Sequence, residues 1–272
     1  MTVSELLTNI KRWLVRDYAD LADMLDWDAL NNFRRKSLNP EHPAQRGTAQ
    51  NPDVFFQAKE ASNKAYDAIP EVVEEYMNKD NEKIGSDYKL FNYYGAEDAD
   101  EVIIAMGSVC DTISETVDYL NANGRKVGLV KVRLYRPFSV KHLVAAIPST
   151  VKKISVLDRT KEPGSIGEPL YLDVVAALRD TEFANVPVYT GRYGLGSKDT
   201  TPAQIIAVFK NTEKKRFTIG INDDVTNLSL SLDENPDTTP AGITSCKFWG
   251  LGADVQSVLT KALLRLSVTT QI

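Results

Sequence analysis

The sequence predicts an α/β protein built on a doubly wound parallel sheet. Between residues 97 and 210, short apolar runs alternate with amphipathic stretches. The runs are nearly continuous rather than alternating in polarity, as in strands covered on both faces. Turn residues or glycines follow most of them, as loops between strands and helices require.

Glu101-Val-Ile-Ile-Ala-Met-Gly107 is the first such strand. In residues 108–123, Val109, Ile113, Val117 and Leu120 form one helical stripe, and Gly124 ends it. Residues 125–133 give a second β-rich run. The turn Tyr135-Arg-Pro-Phe-Ser139 leads into a short helix over 140–147, halted by Pro148. Residues 153–158 read as the third strand, 169–178 as a helix and 186–190 as the fourth strand. Residues 202–209 close the series, with Pro202 in a favourable first-turn position. Outside this region, 17–33 and 53–78 read as helical. Residues 38–53 hold three prolines and form an extended connector. After a charged stretch at 211–216, residues 217–232 read as β-rich and 233–240 as a loop.

Composition narrows the function. The 272 residues are 43% hydrophobic, enough for a substantial core. A net charge of −5 argues against nucleic acid or an anionic membrane as partner. Cys110 and Cys246 lie far apart, which excludes a disulfide framework and any iron–sulfur cluster held by this chain alone. Both are expected to be buried small side chains. His42 and His142 have no metal-ligand spacing, and His142 is expected at the surface. No apolar run is long enough to span a membrane, and residues 1–20 show no signal-peptide pattern. A soluble, cytoplasmic protein is expected.

Ligands of open α/β sheets lie beyond the carboxyl ends of the strands. Gly107-Ser108 occupies such a place, but an ordinary turn with Ser108 as N-cap accounts for it. No GxGxxG follows this strand, so a dinucleotide site is not expected. Asp158-Arg-Thr-Lys-Glu-Pro-Gly-Ser-Ile-Gly-Glu-Pro169 suggests an interdomain contact held by salt links, or else contact with a substrate or cofactor. Gly191-Arg-Tyr-Gly-Leu-Gly-Ser-Lys-Asp199 is a weak phosphate-loop signal, since it lacks a terminal Gly-Lys-Ser/Thr. Capping of the next helix by Asp199 or Thr200 explains much of it. Cys246-Lys-Phe-Trp-Gly-Leu-Gly-Ala-Asp254 opens like a phosphate-facing loop and then loses its small residues. No catalytic residue and no metal ligand emerges from spacing.

Several long runs resemble the pyruvate:ferredoxin (flavodoxin) oxidoreductase family. They are SLNPEHPAQRGTAQNPDVFFQ at 37–57, YRPFS at 135–139, LDRTKEPG at 157–164, GRYGL at 191–195 and CKFWGLGAD at 246–254. The resemblance implies an enzyme that oxidatively decarboxylates pyruvate on thiamine diphosphate and Mg2+. It passes electrons through [4Fe–4S] clusters to ferredoxin or flavodoxin, delivers acetyl to coenzyme A, and works as a homodimer. It assigns 16–87 to the end of a thiamine-enzyme domain with its connector, and 88–211 to a transketolase C-terminal-like domain. Residues 212–254 become the truncated start of a third domain associated with coenzyme A, whose glycine loop is matched by Gly250, Gly252, Ala253 and Asp254. The family's thiamine-binding residues and cluster cysteines have no counterpart here.

Residues 255–272 depart from the family, but one allowed back-translation, read after inserting one base, gives its continuation, GTVGANKGSIKIIGDNTD. Residues 1–14 behave alike and yield DGFRTSHE in a shifted frame. Two out-of-frame tails, 1–15 and 255–272, are therefore expected, around an internal fragment that is inactive alone. The alternative is a non-catalytic α/β subunit-interaction or binding domain.

Overall fold

The computed structural model describes residues 17–44, 47 and 49–238. Among these residues four helices come first: α1 (Tyr18–Met24), α2 (Trp27–Arg35), α3 (Pro52–Ala61) and α4 (Asn63–Ile84). The α/β region follows as β1 (Phe91–Gly95), β2 (Glu101–Ala105), α5 (Val109–Ala122), β3 (Val127–Val132), α6 (Val140–Ala146) and β4 (Lys153–Asp158). It ends with α7 (Pro169–Leu178), β5 (Val188–Arg192), α8 (Pro202–Lys210) and β6 (Arg216–Thr218).

One six-stranded sheet has the order β1-β3-β2-β4-β5-β6. All neighbours pair in parallel except β1 with β3. The chain steps from β2 one way to β3, then crosses back to β4, so the doubly wound reading holds. Edge strand β1 escaped the sequence reading because Phe-Asn-Tyr-Tyr-Gly is not a continuous apolar run. Only its first two residues are fully buried.

Alternate strand residues feed two cores. Ile103, Leu129, Leu157 and Phe217 join the buried faces of α5 and α8. Val102, Ile104, Val130 and Val156 join those of α6 and α7, with Val73 and Met77 of α4 packed against them. Burying a side chain of this size contributes about 1.5–3 kcal/mol. Connections β2–β3 and β5–β6 cross the same face in opposite directions and so have opposite hands. Parallel connections are overwhelmingly of one hand, and β5–β6 departs from the hand that β2–β3, β3–β4 and β4–β5 share.

Of the β-rich piece expected at 217–232, strand pairing is confined to Arg216–Thr218 and a bridge from Thr218 to Ser229. Asp223 dominates the intervening chain, accepting from the N–H groups of Val225 (3.1 Å), Thr226 (2.9 Å) and Leu228 (3.2 Å) and from the Thr226 hydroxyl. Such side-chain turns compete with ladder formation.

Candidate functional site

The loops after β4, β5 and β6 meet at the carboxyl end of the sheet. Arg159 Nε donates to the Gly194 carbonyl at 3.1 Å, and Tyr193 N–H donates to the Asp158 carbonyl at 3.2 Å. Tyr193 Oη reaches the Met106 carbonyl at 3.4 Å, which ties in the loop after β2. A cavity of about 270 Å3 opens beside these contacts, with Lys161, Lys198, Tyr193 and Ile219 among its walls.

Most charges of the 158–169 loop are committed to holding it. Buried Asp158 accepts from the N–H groups of Leu170 (3.0 Å) and Tyr171 (3.2 Å), at the start of α7. Burial pushes its carboxyl above the usual range, against those two hydrogen bonds and with the help of nearby Glu168 and Asp173. Glu168 pairs with Arg192 of β5 and accepts from the Glu162 N–H at 2.7 Å. The salt link expected in this loop therefore exists, but it joins two parts of one sheet domain.

The glycine-rich run 191–199 divides between strand and turn. Gly191 lies inside β5, where a Cβ would come within 2.3 Å of the Phe217 ring. Gly194, Gly196 and Ser197 have φ of +66°, +61° and +58°, so the turn proper is 194–197. The helix after it is capped from neither Asp199 nor Thr200. Thr201 is its N-cap, and Gln204 Oε1 accepts from the Thr201 N–H at 3.3 Å. That is one half of a capping box, with Pro202 at the first helical position.

Two further expectations are corrected. Ser108 stands at the N-cap position of α5 in helical backbone and makes no side-chain cap. His142 is largely buried: Nδ1 lies 2.7 Å from Ser139 Oγ, and Nε2 lies 3.5 Å from Glu74 of α4. A short helix reads as surface only while the helix that covers it is unknown.

The Tyr135-Arg-Pro-Phe-Ser139 turn packs onto α7. Tyr135 Oη donates to Asp173 Oδ2 at 2.7 Å, and Arg136 pairs with the same carboxylate at 2.7 Å. Burial, then the bond to Asp173, pushes the Tyr135 phenol up to about 12. Cys110 is buried as expected, and burial pushes its thiol up to about 11, leaving it a poor nucleophile. Cys246 and the expected coenzyme A loop at Gly250, Gly252, Ala253 and Asp254 lie outside the described residues.

The described residues alone do not assemble the donors that the implied cofactors need. Helices α1 to α4 bury no residue, so they enclose no thiamine diphosphate pocket of their own. Among the described residues no group of three His, Cys, Asp or Glu could hold a metal ion. Two cysteines cannot supply the four thiolates of a [4Fe–4S] cluster. No helix of the described residues is long and apolar enough to cross a membrane.

Two family models match the chain. "Pyruvate:ferredoxin oxidoreductase core domain II" covers residues 99–205, the bulk of the sheet domain. "Pyruvate flavodoxin/ferredoxin oxidoreductase, thiamine diP-bdg" covers 4–78, starting inside the stretch read as an out-of-frame tail. Pyruvate-flavodoxin oxidoreductase of Enterobacter agglomerans is 55% identical over 94% of this chain and 22% of its own length. Pyruvate:ferredoxin oxidoreductase of Moorella thermoacetica is 54% identical over 88% of this chain and 21% of its own. A solved structure of 2-oxoglutarate:ferredoxin oxidoreductase from Magnetococcus marinus aligns with 24% identity over 51% of this chain and 22% of its own. Its TM-score of 0.33 is too low to bear on the fold. The chain spans about a fifth of the length of the curated relatives it matches, and it belongs to the pyruvate:ferredoxin/flavodoxin oxidoreductase family.

Proposed function

We propose that this chain forms part of an enzyme that oxidatively decarboxylates pyruvate to acetyl-CoA and passes the electrons to ferredoxin or flavodoxin. The 55% identity to a pyruvate-flavodoxin oxidoreductase over 94% of the chain carries this reading. Within that enzyme the segment acts as scaffold. The sheet domain presents its crevice loops, and α1 to α3 present apolar side chains to the rest of the protein. The [4Fe–4S] clusters are held by other parts of the polypeptide, since two cysteines cannot ligate one, and thiamine diphosphate and Mg2+ are not fully bound by this segment alone. Coenzyme A contact falls to Gly250, Gly252, Ala253 and Asp254. The assembled enzyme is a cytoplasmic homodimer, and the domains run as 16–87, 88–211 and 212–254, between out-of-frame tails.

The isolated chain is expected to give no pyruvate-dependent reduction of methyl viologen, even with thiamine diphosphate, Mg2+ and coenzyme A supplied. Measurable reduction would refute the scaffold reading. The underlying nucleotide sequence tests the tails: codons unable to give the shifted peptides would end that part of the proposal.

A second reading, a non-catalytic interaction subunit, is favoured by the same exposed apolar side chains. Phe33 is 73% and Phe56 71% exposed. A stable complex isolated with a separate protein, and no dependence of pyruvate oxidation on this chain, would favour it.

A further inference from the structure

We propose that the cavity beside the 194–198 turn binds a small phosphate ester with an apolar body. The inference is independent of the reaction assigned above. Three features converge on it. The cavity, about 270 Å3, lies beyond the carboxyl ends of β5 and β6, the side on which open sheets take ligands. Its lining is partly apolar: buried Tyr193 and Ile219, with half-exposed Ile221. Its rim is cationic, with Lys161 from the loop after β4 and Lys198 from the loop after β5.

The charges around it leave those two lysines available. Arg192 also lines the cavity but is paired with Glu168. Asp223, the acid in the wall, spends its carboxylate on the N–H groups of Val225, Thr226 and Leu228 and on the Thr226 hydroxyl. Neither Lys161 nor Lys198 forms an ion pair with a described carboxylate.

The backbone adds a fourth feature. Gly194 and Gly196 are left-handed, with Leu195 between them in a helical turn, and Ser197 is left-handed although it is not glycine. Such alternation turns successive N–H groups toward one concavity, an arrangement that favours anions. A non-glycine residue in this region persists where its surroundings over-determine it, as they do at binding sites. The volume falls just below the roughly 300–1,000 Å3 of drug-sized pockets. That selects a ligand the size of an aryl phosphate over a dinucleotide.

Calorimetric titration of the purified full chain with phenyl phosphate tests the proposal, with inorganic phosphate and phenol as partial ligands. Saturable binding of phenyl phosphate, tighter than that of either part, is expected. Lys161→Gln and Lys198→Gln should each weaken it about tenfold, the effect of losing one charge-assisted hydrogen bond. Lys152→Gln, in a lysine remote from the cavity, should leave it unchanged. Absence of saturable binding would overturn the proposal, as would equal affinity in both cavity variants, which would place the ligand on the exposed apolar helices. Should Lys198→Gln fail to fold by circular dichroism, Lys161→Gln in a separate loop carries the same readout.

Discussion

Glu168 and Arg192 form an ion pair whose side chains are only 1% and 12% exposed. It fastens the loop after β4 to the end of β5 and so shapes one wall of the crevice. Arg192→Leu leaves Glu168 buried and uncompensated, which costs about 3–5 kcal/mol. Arg192→Leu with Glu168→Gln should recover at least half of that loss, because the amide oxygen still accepts from the Glu162 N–H. Urea unfolding of the two variants measures the difference.

Gly191 lies between the Phe217 ring and Leu157 within β5, and a Cβ there would come within 2.3 Å of the first and 2.6 Å of the second. Gly191→Ala should destabilise the sheet domain by about 1–3 kcal/mol through overpacking. A variant as stable as the parent would show that β6 is not seated against β5 as described.

Two carboxyl groups give opposite acid responses. Burial raises the Asp158 pKa above its ordinary 3.8, so its contribution is full below that value and is lost as pH rises through the folded pKa. The parent should therefore lose stability relative to Asp158→Asn as pH climbs from 3.8 upward. The Thr226 hydroxyl, followed by backbone N–H groups, lowers Asp223 to about 2. Its contribution is full above 3.8 and is lost as pH falls through about 2. Hydrogen-exchange protection of the Thr226 and Leu228 amides, taken relative to the intrinsic rate at each pH, should fall on acidification between those pH values, and Asp223→Ala should already lack it at neutral pH.

Phe33 and Phe56 bury little of their surface in this chain. Phe33→Ser and Phe56→Ser should leave the melting temperature of the isolated chain within about 2 °C, as surface changes do. In the assembled enzyme the same changes should weaken association, read as a raised dissociation constant or a lowered melting temperature.

Much of the sheet domain was legible because its strands are buried on both faces. Apolar runs such as Val102–Ala105, and Ile154–Leu157 with Ser155 its one polar residue, announce themselves without any partner in view. The edge strand Phe91–Gly95 was not legible, since one half-exposed flank removes that signature. The crevice was half legible. Glycines and bases at 158–169 and 191–199 marked the loops, but the Glu168–Arg192 pair joins residues 24 apart in sequence and depends on strand adjacency. Gly191 read as part of a turn because packing against Phe217, not local chemistry, requires it. His142 read as exposed for a related reason: α4, which covers it, lies more than fifty residues upstream.

The most direct test is a graft. Residues 16–254 would replace the matching segment of the Enterobacter agglomerans enzyme, and pyruvate-dependent methyl viologen reduction would be measured with coenzyme A present. Activity within about tenfold of the parent is predicted, a barrier change of about 1.4 kcal/mol or less. A folded graft that binds its cofactors yet reduces no viologen would contradict it.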